Sequence, residues 1–559
     1  MKKFSMRAAA LLLALLFVLA ACTTGTPAGD TTEEPVVTEA PTAEPEDGEL
    51  SVYTDLLKAA DPIDDNNLVF YEIFVGSFSD SNGDGIGDLR GIINRMDYLN
   101  DGDPNSGKSL GIEGIWLTPI FESPTYHKYD VTDYYKIDPS FGTEADLVEL
   151  LEVCHSRGVK VILDLVLNHT GNRNAWFKAF TEAHRSGNTN SEYYDFYSWY
   201  DASKESAPRG RTFQKISGTN HYYECNFWYE MPELNYDNEA VRQAVLDVAN
   251  YYIDLGVDGF RFDAAKYVYF ESMNSNAEFW KWYMGKLRER KPDIYAVAEV
   301  WDTDSVTDKF FPAVNCFNFD VHGTEGRIAS TAKKGNVNTY VAYVEAYQKR
   351  VKAMRESAAF TPFIANHDTD RAAGFLTVAS GTMKVAANLY ILGPGSPFIY
   401  YGEELGMRGT RGSANTDANR RLAMLWGDGD TVKDPEGTTY DPTKQVEYTV
   451  SDQMRESWSL YSYYKELLML RRANPEIAHG SYKALKLSDT KVGGFIATLG
   501  DSTVIVLHNT TTSAQTFNLS TIYGADGYEM RGFIGVEEAT LEGTVLTLGG
   551  QTSVVIACK

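Results

Sequence analysis

Eight short apolar runs, separated by amphipathic helical patterns, limit what this chain can fold into. They cover residues 68–75, 112–119, 159–167, 257–262, 294–298, 314–319, 360–365 and 397–401. Runs this short and this apolar suit strands covered on both faces, and strands alternating with helices make a parallel sheet. Eight of them predict an α/β fold, a (β/α)8 barrel of the TIM type. The segment before the fourth run shows the local signals agreeing. Asp237 or Asn238 can cap a helix, Val241, Val245, Val248 and Tyr252 fall on one face, and Gly256 can end it.

The alternation breaks twice. Between His169 and Asn238 lie about 70 residues rich in Tyr, with Trp176, Trp199 and Trp228, too long and too aromatic for a plain connection. Residues 171–237 are therefore expected to form a small inserted domain after strand 3. Its aromatics belong mostly to its own core, and some can stack on sugar faces. After Pro475 the period changes to two, in 494–499, 503–507 and 553–557. That predicts a C-terminal antiparallel β-sandwich domain over 476–559, read as a structural cap in preference to a carbohydrate-binding module. The barrel then takes 51–170 and 238–475.

The N-terminus is an address. Lys2, Lys3 and Arg7 precede thirteen apolar residues from Ala8 to Ala20, too few for a comfortable membrane span. Leu19-Ala20-Ala21-Cys22 then resembles a bacterial lipoprotein signal, with 1–21 removed and Cys22 lipidated. Residues 23–50 contain no Lys, Arg or aromatic residue and cannot bury enough surface to fold, so 22–50 reads as a disordered acidic Thr/Pro linker. The expected location is extracytoplasmic and membrane-anchored, at the cell surface or in the periplasm, and the protein is read as a monomer. The formal charge is −26, and losing Lys2, Lys3 and Arg7 takes it to −29. Such an excess excludes nucleic acid and anionic membrane surfaces as partners, and suits a neutral ligand or a metal ion. Cys154, Cys225, Cys316 and Cys558 show no CxxC and no metal-ligand spacing, and read as buried thiols.

In a barrel of this kind the site lies at the C-terminal ends of the strands. The third run leads into Asp164 to His169, the fourth carries Arg261 and Asp263, the fifth ends in Glu299, and the seventh in Asn366-His367-Asp368. Three carboxylates, Asp263, Glu299 and Asp368, are thus expected at one mouth. Crowded acids raise each other's pKa unless opposed, so their roles should split. Arg261 would keep Asp263 ionised as a nucleophile, while Glu299 stays protonated as general acid, the arrangement for glycoside cleavage through a covalent intermediate. A metal site is the competing use of three such groups.

The motifs Asp164-Leu-Val-Leu-Asn168-His169, Gly259-Phe-Arg261-Phe-Asp263-Ala-Ala-Lys266, Ala298-Glu299-Val-Trp301 and Asn366-His367-Asp368 together resemble the α-amylase family, glycoside hydrolase family 13. Met231-Pro-Glu-Leu-Asn235 and Gly395-Ser-Pro-Phe-Ile-Tyr-Tyr-Gly402-Glu-Glu extend the resemblance over essentially the whole chain after the linker. It implies Asp263 as nucleophile, Glu299 as acid/base, and Asp368 as the carboxylate that holds the distorted sugar ring and its developing charge. Arg261 would orient the nucleophile. His169 and His367 would hydrogen-bond the sugar hydroxyls beside the cleaved bond, and Tyr129 would stack on the same ring with His127 near it.

Ala264 after the nucleophile resembles members that cleave α-1,4 bonds in starch and maltodextrin; α-1,6-cleaving relatives tend to have Val there. An oligo-α-1,6-glucosidase, a neopullulanase or cyclodextrinase, and an α-glucan transglycosylase stay open within the family, and a non-catalytic glucan-binding surface lipoprotein outside it. Tyr267 stands where the family usually has His, which leaves Asn168 unassigned as a calcium ligand. A second loop, Asp80-Ser-Asn82-Gly-Asp84-Gly-Ile86-Gly-Asp88, places oxygen donors at alternate positions, as a hard cation needs. Position 12 is Gly91, so it is no EF-hand. In the barrel glucosidases it resembles, this loop binds Ca2+ through the Asp and Asn side chains and the carbonyl of Ile86.

Overall fold

The computed structural model of the protein describes residues 51–54, 57–270 and 272–559; the expected signal, linker and Cys22 lie outside them. Seven of the eight runs form one parallel sheet. Its order is Asn315–Cys316, Tyr295–Ala298, Gly259–Asp263, Lys160–Val166, Gly114–Leu117, Phe70–Ile73, Phe398–Tyr400. The run 360–365 completes the ring without regular strand geometry. Phe363 bridges Phe398 in parallel, the Phe398 N–H donates to the Pro362 carbonyl at 2.9 Å, and the Asn318 N–H donates to the Thr361 carbonyl at 3.1 Å. Pro362 has no N–H to give, so an even ladder cannot run through it.

Side chains alternate across each strand, and both faces are apolar for different partners. Phe70, Trp116, Ile162, Tyr295, Val297, Phe317, Phe363 and Phe398 fill the inside of the barrel. On the outside Phe262 meets Trp280 of the helix Met273–Arg290 with ring centroids 4.7 Å apart. Close strand approach explains Gly259, where a Cβ would lie 1.9 Å from the Tyr295 carbonyl oxygen. The helix Glu239–Leu255 is capped by Asn238, whose side chain accepts from the Ala240 N–H, and ends at Gly256 with φ 107°.

Between the third and fourth strands, the helix Ala175–Ser186 is followed by a small antiparallel sheet. In it His221–Glu224 lies between Trp199–Asp201 and Phe213–Lys215. Phe177, Phe180, Phe196 and Tyr197 are buried there, while Phe227, Trp228 and Tyr229 stay exposed.

At the C-terminus a six-stranded antiparallel sheet faces a three-stranded one formed by Gln515–Asn518, Val545–Leu548 and Ala539–Glu542. Period two divides the large sheet's side chains. Ile496, Ile505, Leu507, Val554 and Ile556 join Leu546 and Leu548 in the sandwich core, whereas Phe495, Ala497, Val504, Val506 and Val555 belong to the barrel's core. With both faces covered, this sheet reads as a cap. Its edge holds an unexpected member: Ser51–Tyr53 pairs antiparallel with 533–535, so the chain enters through the C-terminal sheet before it starts the barrel. Cys154, Cys225, Cys316 and Cys558 are free thiols, the first three buried.

Candidate active site

Strand register brings the charged groups together. Arg261 pairs across the sheet with Asp164 on one side and Val297 on the other, and Asp263, two residues on, points to the same face. Asp263, Glu299 and Asp368 line one cavity of about 740 Å³, with His127, Tyr129 and His169 on its wall. All three expected carboxylates therefore meet. Arg261 and His367 lie behind that wall, 1% and 0% exposed.

Arg261 serves more groups than the sequence suggested. One amino group donates to Asp164 at 2.8 Å and to Asp263 at 2.7 Å, and the other donates to Glu299 at 2.9 Å. It cannot by itself choose which of Asp263 and Glu299 is ionised. Burial pushes both above the ordinary carboxylate range, with Arg261 opposing, and it pushes Asp164 to about 7. Glu299 also accepts the Ala264 N–H at 3.0 Å. Both of its bonds fall on Oε2, which leaves Oε1 as the oxygen to carry a proton.

Asp368 is held differently. Burial opposes its charge, but His367 at 3.1 Å and Arg421 at 2.8 Å outweigh that and keep it well below the usual range. His367 uses both ring nitrogens: Nδ1 faces Glu72 at 2.5 Å, and Nε2 faces Tyr129 at 2.6 Å as well as Asp368. It reaches the cavity only through those two neighbours. Five acids, Glu72, Asp164, Asp263, Glu299 and Asp368, thus share Arg261, Arg421 and His367. The surplus of acid is a physical reason for a retained proton in the cluster.

The other histidines face the cavity as neutral rings. Nδ1 of His127 accepts from the Tyr129 N–H at 3.1 Å, which leaves Nε2–H as its donor, and burial lowers its pKa to about 3. Burial lowers His169 to about 4, and its buried Nε2 has no protein partner, as a group awaiting a ligand hydroxyl would. Tyr129 stacks on His367 with rings 12° from parallel and 5.6 Å apart. Arg421 and Glu72 were not singled out by sequence. Arg421 comes from irregular chain after the last barrel strand, where no apolar run points to it.

The 80–88 loop has the oxygen types a calcium ion takes, but its oxygens also answer their own loop. Asp80 accepts from the N–H groups of Asn82, Gly83 and Gly85 and from the Thr431 hydroxyl. Asn82 and Asp84 each accept an N–H two residues on, and Asp88 accepts from Ser81 and caps the helix Leu89–Asn94 through Gly91. Such turns suit a loop that wraps a cation and one that does not. Among the described residues no three His, Cys, Asp or Glu side chains stand close enough together to hold a metal ion. The donor set fits in kind, and the acids are not yet gathered. Asn168 lies against His169, and Tyr267 packs edge-on to Phe227.

A family model described as "Alpha amylase, catalytic domain" matches residues 72–480. Alpha-amylase 3 of Dictyoglomus thermophilum is 33% identical over 494 residues, 88% of this chain and 93% of that protein. Oligo-1,6-glucosidase of Bacillus cereus is 29% identical over 533 residues, 81% of this chain and 91% of that protein. Among solved structures, Eubacterium rectale Amy13B superposes with a TM-score of 0.81 at 31% identity, covering 90% of this chain and 97% of that one.

Proposed function

The chain belongs to the α-amylase family of glycoside hydrolases and transferases, and on that premise we propose that it hydrolyses α-1,4-glucosidic bonds in starch, maltodextrin and related α-glucans with retention of configuration. The observation that carries this reading is Asp263 and Glu299 on the two amino groups of one buried guanidinium. A double displacement uses two carboxyl groups close together, one as nucleophile and one as acid/base, and the shared guanidinium holds these two as such a pair.

In the first step Asp263 forms a bond to the anomeric carbon as the bond to the leaving oxygen breaks, and Glu299 gives that oxygen its proton. In the second, Glu299 takes a proton from water, whose oxygen displaces Asp263. Asp368, held ionised by His367 and Arg421, faces the positive charge that builds on the ring in both steps. His127 and His169 donate to sugar hydroxyls as neutral rings. Phe227 and Trp301, large and exposed at the cavity rim, offer apolar faces to sugars further along a chain.

Support for the α-1,4 linkage is Ala264 beside the nucleophile. A time course of products from maltoheptaose, with isomaltose and pullulan in parallel, tests it. Shorter maltooligosaccharides from maltoheptaose and no glucose from isomaltose are expected. Glucose from isomaltose alone points to an oligo-1,6-glucosidase, and chains longer than the substrate point to a transferase.

Two further proposals stand beside this one. Asp80, Asn82, Asp84, the Ile86 carbonyl and Asp88 would hold Ca2+, which supplies stiffness to a loop outside the reaction; a melting temperature unmoved by calcium or chelator rejects it. Lipidation of Cys22 would tether the enzyme outside the cytoplasmic membrane. Cys22→Ala protein that stays in the membrane fraction speaks against it.

A further inference from the structure

We propose that Glu72 is a positioning residue of the active site, which keeps His367 doubly protonated and so holds a fixed positive charge beside Asp368. This rests on the glycosidase reading above and deepens it.

The geometry allows His367 little choice. Its ring is fully buried, and the neighbours of its nitrogens are acceptors. Nδ1 meets Oε1 of Glu72, which also accepts the His367 backbone N–H at 3.3 Å. Nε2 meets Oδ2 of Asp368 at 3.1 Å and the Tyr129 hydroxyl at 2.6 Å. That hydroxyl is in turn 3.0 Å from Asp164, to which it donates, so it presents its lone pairs to His367. An imidazole between two carboxylates satisfies both only as the imidazolium.

The other groups around the ring do not supply that proton. Trp116 meets it edge to face. The Arg421 guanidinium donates to the His367 carbonyl and, being a cation, disfavours a second positive charge. Asp263 feels the charge on His367 and is lowered by it. Burial alone would discharge the ring; Asp368 and Glu72 together hold it charged up to about pH 10. Of these two, only Glu72 is outside the cavity, 1% exposed at the C-terminal end of the first barrel strand. It can hold the charge without touching substrate.

The consequence is a division of labour around one ring. Glu72 fixes the proton on Nδ1, His367 carries the charge, and Asp368 stays ionised through the whole pH range in which the enzyme turns over. Without the Glu72 charge the ring would lose its proton at a lower pH. Asp368 would then face the cavity with one cation fewer.

Glu72→Gln keeps the shape and an acceptor oxygen for Nδ1–H while removing the charge. kcat/KM is measured for wild type and E72Q from pH 5 to pH 8 on a substrate the wild type turns over, with circular dichroism at each pH. The expected result is a deficit at least tenfold larger at pH 8 than at pH 5, because acid restores the His367 proton that Glu72 no longer holds. A smaller ratio overturns the proposal, since a packing role would cost the same at every pH. If E72Q does not fold, the ring nitrogens of His367 in the wild type are read instead by 15N NMR at pH 8: two protonated nitrogens support the proposal, and one unprotonated nitrogen overturns it. Wild type inactive on all α-glucans would instead defeat the glycosidase reading, which keeps the two failures apart.

Discussion

The two sides of the acid cluster are built to opposite ends. On one side Asp263 and Glu299 share Arg261 with Asp164, three acids on one cation, and burial raises all three. On the other, Asp368 and Glu72 share His367, Asp368 also has Arg421, and Asp368 stays far below the usual carboxylate range. The same residue type in the same cavity is thus poised to exchange a proton on one side and to remain charged on the other. Cation count, more than burial, makes the difference, because both sides are buried. A site that must hand a proton to a leaving group and face a developing cation at the same time needs both states at once.

The hardest test of the proton-sharing side removes its nucleophile. Asp263→Ala should lower turnover of soluble starch by at least about 10⁴-fold, with the melting curve little changed. Binding of maltooligosaccharide should survive, because the Asp368 side is intact. Near-normal release of reducing sugar from this variant would sink the assignment.

The charged side is broken by Arg421→Met. Asp368 then keeps His367 and the charge of Arg261 against burial but loses one of its cations, so its pKa rises. The variant should therefore lose more kcat/KM at pH 5 than at pH 7, the direction a raised carboxylate gives. Stability follows the same sign. A depressed carboxylate contributes stability above its unfolded pKa of 3.8, which is lost as pH falls through the folded value. Raising the folded value shrinks that contribution, so R421M should melt earlier than wild type above pH 4, and converge with it in stronger acid. A loss equal at both pH values would mean that Arg421 acts on sugar and not on Asp368.

The two sides were not equally legible in the sequence. Arg261, Asp263 and Glu299 were readable because each interrupts or ends an apolar run, and a buried strand has few reasons to carry a charge. Glu72 lies in such a run too, between Tyr71 and Ile73, so the same signal was present and not used. Arg421 had no such signal. It reaches Asp368 from irregular chain, and the bond that defines it joins residues 53 positions apart. The fold shows the same division. Strands apolar on both faces declared themselves, whereas Ser51–Tyr53 is three residues whose pairing with 533–535 depends on an edge left open by the far end of the chain. Pro362, plainly visible in the sequence, says why the seventh run forms one bridge where the others form ladders.

The smallest effect sharpens the proton-sharing side. Ala264 turns the chain out of the Asp263 strand with φ 46° and ψ 35°, a left-handed conformation that costs a non-glycine residue about 1–2 kcal/mol. In that conformation its N–H reaches Glu299 Oε2. Ala264→Gly removes the strain and loosens the unfolded chain by roughly 0.5–1 kcal/mol, so the net gain should be no more than about 1.5 kcal/mol. Since the N–H remains, kcat should change by less than about threefold, while the melting temperature rises by about 1–2 °C. If A264G instead melts lower, the buried methyl contributes more through packing than the turn costs, and Glu299 is held by the fit of Ala264 as much as by its hydrogen bond.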